Sequence, residues 1–387
     1  MKVSTKSLLK SVTLASFLRS WFQISTLHHN GILLLWTSLL RSPVNFLTFN
    51  NSGAVFIKVP HEDSGGIGRL RSCTETPPGR RTLTNLFGSP TAFLLPCLYD
   101  KQNGTFVEAV IMRYNTCLGK YAGKPRLGGP RSTLCMSSQV GCKMGCRFCA
   151  TGNMGFRGNL SSGEIVEQFV HASRFSNIRN VVFMGMGEPL NNYSALVDAI
   201  GVITDAPFRL PSRKITVSTV GILPAIGKLH KDLPGVNLAV SLHAPVQDIR
   251  CQIMPAARAF PLEKLMDSLR TYQRSSGQRI FVEYIMLDGV NDKAHHALLL
   301  GKLLESLDVV VNLIPCNPIE GRSKFKASTI DVIIDFQRTL RSTFKIRTTI
   351  RKTMGQDISG ACGQLAARVG LALHATCPSA SSSALHH

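Results

Sequence analysis

Acidic side chains are scarce in this sequence. Its 387 residues hold 23 Asp and Glu against 44 Lys and Arg, a formal net charge of +21. Charged residues of both signs make up 17% of the chain, below the roughly 25% of an average soluble domain. So large a basic excess favours a polyanionic partner, and nucleic acid is the commonest. A membrane surface fits less well, because no long basic amphipathic helix is present. Long apolar runs are missing too. The stretch Gly31-Ile-Leu-Leu-Leu-Trp36 falls far short of the roughly 20 residues that cross a bilayer, so no transmembrane helix is expected. Cysteine, by contrast, is plentiful at 11. An odd count in a chain of this length argues against a secreted disulfide scaffold and fits a reducing compartment. With 44% hydrophobic residues the chain can bury a sizeable core.

No Asp or Glu precedes Glu62, whereas Lys2, Lys6, Lys10, Arg19, Arg41 and Lys58 do. An acid-free, basic N-terminus rich in Ser and Thr reads as an organellar transit peptide. An ordinary divergent N-terminus or a misassigned first exon would read the same way. The expected compartment is therefore the cytoplasm, with chloroplast or mitochondrion as the alternative. Residues 62–90 are rich in Gly, Pro, Ser and Thr and read as a linker. The tail from Ala366 ends in Pro378-Ser-Ala-Ser-Ser-Ser-Ala384, a composition that frays.

Between these ends, short β-branched runs alternate with helical patterns. Strands are predicted at Ser132–Ser137, Asn180–Met184, Lys214–Ser218, Val236–Ser241, Arg279–Ile285, Val309–Ile314 and Ile346–Ile350. Helices are predicted at Ser162–Ser173, Ser194–Thr204, Leu223–His230, Leu262–Ser275, Lys293–Leu307 and Ile330–Thr339. Alternation at this spacing means an α/β fold with a parallel sheet, an open or closed β/α barrel. There is no internal repeat beyond that rhythm.

Directly after the first of these strands comes Gly141-Cys-Lys-Met-Gly-Cys-Arg-Phe-Cys149, a Cys-x3-Cys-x2-Cys pattern. Three thiolates on one loop, Cys142, Cys146 and Cys149, suit three irons of a cubane cluster and leave the fourth iron open for a small ligand. Zinc is the alternative, with Cys135 as a fourth ligand. Structural zinc, however, usually joins two separated Cys-x2-Cys pairs, and no second pair occurs. In β/α barrels, reactive groups collect at the C-terminal ends of strands. Those ends carry Gly185-Met-Gly-Glu-Pro189, Ser218-Thr219, Ser241-Leu-His243 and Asn317-Pro318. Each is weak alone. Their shared position argues for one ligand site.

These motifs resemble the radical S-adenosylmethionine (SAM) superfamily. Leu134–Cys142, Gly185–Leu190, Ser241–Ala244 and Met354–Gln364 are similar to the RlmN/Cfr family, over about residues 107–365. The resemblance implies a partial (β/α)6 TIM-type radical SAM barrel with an atypical N-terminal extension, since residues 1–90 do not resemble the family's small helical RNA-holding domain. It divides the chain into that extension (1–90), a strand region carrying Glu108 (91–127), the radical SAM core (128–355) and a C-terminal segment (356–387). It implies methylation of an adenine ring carbon, C2 foremost, in large-subunit ribosomal RNA and some transfer RNAs. Its cofactors are a [4Fe–4S] cluster on Cys142, Cys146 and Cys149 and two SAM molecules per turnover. Gly187, Glu188, Ser218, Ser241, Leu242, His243 and Asn317 match the SAM-contacting positions. Cys362 matches the cysteine that carries the transferred carbon, Cys135 the one that helps release product, and Glu108 a proton acceptor. An electron donor such as flavodoxin or ferredoxin, a monomeric state and no membrane follow. A radical SAM enzyme of another reaction type, or a zinc-stabilised RNA-binding protein, remains the competing reading.

Overall fold

The computed structural model describes residues 129–319 and 324–366, together with segments 46–49, 55–58, 92–98, 106–116, 120–121 and 124–125. The transit-like N-terminus and the 62–90 linker fall outside these residues, apart from a two-strand ladder of Phe46–Phe49 with Val55–Lys58. The frayed tail falls outside them as well. Among the described residues, no helix is long and apolar enough to cross a membrane.

One nine-stranded sheet organises the molecule. Its strands are β1 (Ala92–Leu98), β2 (Phe106–Thr116), β3 (Gly129–Cys135), β4 (Ile178–Phe183), β5 (Ile215–Thr219), β6 (Asn237–Ser241), β7 (Ile280–Met286), β8 (Val309–Pro315) and β9 (Arg347–Ile350). They lie side by side in chain order. From β3 to β9 every neighbouring pair is parallel. Strands β2 and β1 extend the β3 edge as an antiparallel pair. The helices between successive parallel strands are α1 (Ser162–Phe175), α2 (Tyr193–Thr204), α3 (Leu223–Asp232), α4 (Leu262–Ser276), α5 (Ala294–Leu304) and α6 (Ile330–Ser342). Six β/α units followed by a last strand make an open, partial barrel, the form that the resemblance implies and one of the two that the alternation allows.

Composition explains the layers. Strand β8 reads Val-Val-Val-Asn-Leu-Ile-Pro, the near-continuous apolar run of a strand covered on both faces. Helix α4 turns Leu265, Met266, Leu269 and Tyr272 to the core and stops at Gly277, which takes the left-handed conformation of a helix C-terminus. Helix α1 opens on a capping box, in which the Ser161 hydroxyl accepts from the Glu164 N–H and the Glu164 carboxylate accepts from the Ser161 N–H. Ser161→Ala should cost about 1 kcal/mol of stability, read as a lower denaturant midpoint with an unchanged slope. A second, smaller apolar cluster, including Met144, Ile253, Met254 and Leu287, lies beneath the cysteine loop.

One boundary differs from the sequence expectation in a way that matters. Strand β3 starts at Gly129 and ends at Cys135, so it runs three residues earlier than the predicted Ser132 start. Gly129-Pro130 carries turn chemistry, but β2 pairs along that whole stretch and holds it extended. Met136–Ser138 is consequently an irregular connection rather than strand, and it serves the site.

Candidate active site

A cavity opens where the C-terminal ends of the parallel strands meet. It is lined by the three loop cysteines, Cys142, Cys146 and Cys149, and by Gly187, Glu188, Ser218, Ser241, His243 and Asn317. Cys135 at the end of β3 and Cys362 on the C-terminal segment line it too. Two residues singled out from sequence stand apart. Leu242, just past the end of β6, is buried in the main core, where its N–H donates to the Glu283 carbonyl at 3.1 Å. Glu108 is buried behind the C-terminal segment, where its Oε2 accepts from the Ala366 N–H at 2.9 Å.

The glycine-rich turn after β4 is held by the segment Met136–Gln139. The Gly185 N–H donates to the Met136 carbonyl at 3.0 Å. Ser137, fully buried, donates to the Glu108 carbonyl and accepts from the Met186 N–H. A Cβ on Gly185 would sit 2.6 Å from the Met136 oxygen. Gly187, at φ +99°, has no room for one beside Gln139. Packed this closely, the turn aims Glu188 into the site. Its Oε2 accepts from the Val220 N–H at 2.8 Å and its Oε1 from the Leu190 N–H at 3.1 Å. Burial pushes its carboxyl up to about 7, and these hydrogen bonds oppose the rise. His243 stands edge-on to Phe148, with ring centres 4.9 Å apart. Its Nδ1 accepts from the Ile285 N–H, which leaves the proton on Nε2. Burial, helped by Arg250, lowers its pKa to about 3, so the ring is neutral.

Burial pushes the Cys142 thiol up to about 12 and raises Cys146 well above the ordinary range, with Cys149 adding repulsion at both. Three thiolates cannot stand together here unless positive charge offsets them, and cluster irons bring that charge. The donor set therefore fits a cluster. Among the described residues, no three His, Cys, Asp or Glu side chains gather tightly enough to ligate one ion. A cubane asks something different, one thiolate per iron.

The C-terminal segment is strapped across the cavity by backbone contacts. The Ala150 N–H donates to the Gly363 carbonyl at 2.7 Å, and the Thr151 hydroxyl to the Leu365 carbonyl at 2.6 Å. Asn317 donates through Nδ2 to the Cys362 carbonyl at 2.9 Å. Cys362 is exposed yet surrounded by neighbouring atoms, as a thiol lining a cavity is and a core thiol is not. Burial raises its pKa and Arg351 opposes the rise. Cys135 is pushed up to about 12 by burial, with Cys362 adding to the rise and Arg351 again opposing.

Sequence reasoning missed Arg351 and Glu283, both cavity-lining. Arg351 Nη1 lies 3.7 Å from Glu283 Oε2, and Asn312 donates to Glu283 Oε1 at 2.8 Å. The signals were present. Arg351 directly follows β9, and Glu283 is a charge inside the apolar run Ile280-Phe-Val-Glu-Tyr-Ile-Met286.

The open parallel half-barrel with a three-cysteine loop at its mouth defines a radical SAM protein, and the Radical SAM superfamily model matches residues 136–300. The Dual-specificity RNA methyltransferase RlmN of Syntrophobacter fumaroxidans is 46% identical over 70% of this chain and 76% of its own length. The Ribosomal RNA large subunit methyltransferase N of Nitrosopumilus maritimus is 40% identical over 69% of this chain and 75% of its own. A radical SAM methyltransferase from Sphaerobacter thermophilus, known from its crystal structure, is 38% identical and superposes with a TM-score of 0.64, covering 72% of this chain and 78% of that one. The chain belongs to the RlmN family.

Proposed function

We propose that this chain methylates a ring carbon of adenine, C2, in large-subunit ribosomal RNA and in some transfer RNAs, through an S-methylated Cys362. The observation that carries the reading is the meeting of Cys135 and Cys362 with the three-cysteine loop around one cavity. In this reading Cys142, Cys146 and Cys149 hold a [4Fe–4S] cluster, while Gly187, Glu188, Ser218, Ser241, His243, Asn317 and the backbone of Leu242 hold SAM. Bound there, the cluster and two SAM molecules per turnover supply a methyl group and the radical chemistry that an unreactive ring carbon requires.

The chain's own residues do the rest. Glu188, held by two backbone N–H groups, offers its carboxylate to the ammonium of the ligand. Cys362 accepts the methyl group, for which a thiolate is a competent nucleophile, and Arg351 is the nearby cation that favours that form. The family resemblance gives the ring proton to Glu108, which lies behind the C-terminal segment rather than on the cavity wall. Cys135 then attacks the Cys362 sulfur, a Cys135–Cys362 disulfide forms as the Cys362 sulfur–carbon bond breaks, and the freed ring-borne carbon takes up a proton to become the methyl group. Residues 128–355 form the core of this machinery, residues 91–127 bring Glu108, residues 356–387 bring Cys362, and residues 1–90 are an extension. The enzyme works as a monomer with a flavodoxin or ferredoxin as reductant.

Nucleoside mass spectrometry on ribosomal and transfer RNA from cells with and without the gene tests this. One methylated adenosine, co-eluting with the 2-methyl standard, should disappear in the knockout. Loss of an 8-methyl species instead would overturn the C2 assignment, and an unchanged profile would overturn the activity.

A further inference from the structure

Arg250 is an anomaly for a protein interior. It lies on the helix Gln247–Ile253 and is fully buried, at 0% exposure. Its Nη2 donates to the Val220 carbonyl at 2.6 Å and its Nη1 to the Phe260 carbonyl at 2.9 Å, while its Nε has no partner. Among the described residues no carboxylate forms an ion pair with it. A buried charge that no opposite charge balances is strongly unfavourable. Two carbonyl dipoles offset only part of that cost.

The location suggests where the balance comes from. Val220, whose carbonyl Arg250 holds, lines the cavity and packs with Cys142, Met144 and Cys146 in the small apolar cluster under the cysteine loop. The loop in turn rests on the Arg250 helix, with the Arg147 N–H donating to the Ile253 carbonyl at 2.9 Å. Burial pulls the Arg250 pKa down only to about 10, so the guanidinium keeps its charge at neutral pH.

We infer that Arg250 is the buried counter-cation of the cluster and holds its reduction potential up. The inference rests on the cluster assignment made above. Reduction adds negative charge to a group already held by thiolates. A cation fixed nearby in a poorly polarisable interior favours the reduced form, and its removal lowers the potential. A merely structural Arg250 would instead act through its two carbonyl hydrogen bonds, which tie the residue after β5 to the loop before α4.

Charge and hydrogen bonding separate in two variants, Arg250→Gln and Arg250→Lys. The full chain is reconstituted with iron and sulfide under anaerobic conditions, without SAM or RNA. The signal of the reduced cluster is then followed by electron paramagnetic resonance through a redox titration, beside thermal melts. Both variants lose hydrogen bonds and should melt earlier. Only the glutamine variant should titrate at a lower potential, because lysine keeps the charge. A fully loaded glutamine variant that titrates with the wild type overturns the inference, as does a lysine variant that falls as far as the glutamine one. Should the glutamine chain not fold, Arg250→Met takes its place as the charge-removing variant: a potential below that of the lysine variant supports the charge role, and one equal to the wild type refutes it. A wild-type chain that takes up no iron would sink the cluster reading itself, and this inference with it.

Discussion

Cys135→Ala protein should purify with RNA covalently attached, whereas Cys362→Ala protein should carry none and form no methylated product. In the first variant Cys362 can still be loaded and can still join the ring, but nothing resolves the adduct. In the second there is no atom to load. Both thiols line the same cavity, and Arg351 acts on both. Neither belongs to the three-cysteine loop, so both variants should bind iron as the wild type does. A nuclease-sensitive shifted band on a denaturing gel reads the first result, and product below detection reads the second. Iron loss from Cys135→Ala would make that residue a ligand and revive the zinc alternative. Full activity in Cys362→Ala would defeat the proposed function outright.

Changing any one of Cys142, Cys146 or Cys149 to Ala is expected to abolish SAM cleavage. In the proposed reading each thiolate holds a separate iron, so removing one costs a whole corner of the cluster. The remaining pair stays in a site whose burial already raises the thiols at Cys142 and Cys146. Iron content and visible absorbance after anaerobic reconstitution check this. A triple-Ala chain with full iron would refute the assignment.

The parallel part of the sheet was legible because its strands are short β-branched runs and its helices are amphipathic, signals that local physics imposes. Helix α4 was expected at Leu262–Ser275 and ends at Ser276. Strand β2 was harder. Its run Phe-Val-Glu-Ala-Val-Ile-Met is interrupted by Glu108, and only the family likeness marked a strand region there. Ser137 escaped notice because a hydroxyl linking the Glu108 carbonyl to the Met186 N–H has no sequence period. Arg250 escaped because a charge in a short helix reads as a solvated face, and only burial shows otherwise.

Sheet order that follows chain order has a consequence for synthesis. Each strand, as it leaves the ribosome, finds its partner in the strand made just before it, so the barrel can grow from one edge while translation proceeds. The Ala366-to-Glu108 hydrogen bond runs against that direction, closing across 258 residues. The segment bearing Cys362 is the last of the described residues to be made. A nascent chain can thus lay down most of its sheet before Cys362, the thiol that the proposed function joins to RNA, leaves the ribosome. Chemical competence arrives only after the scaffold that must restrain it.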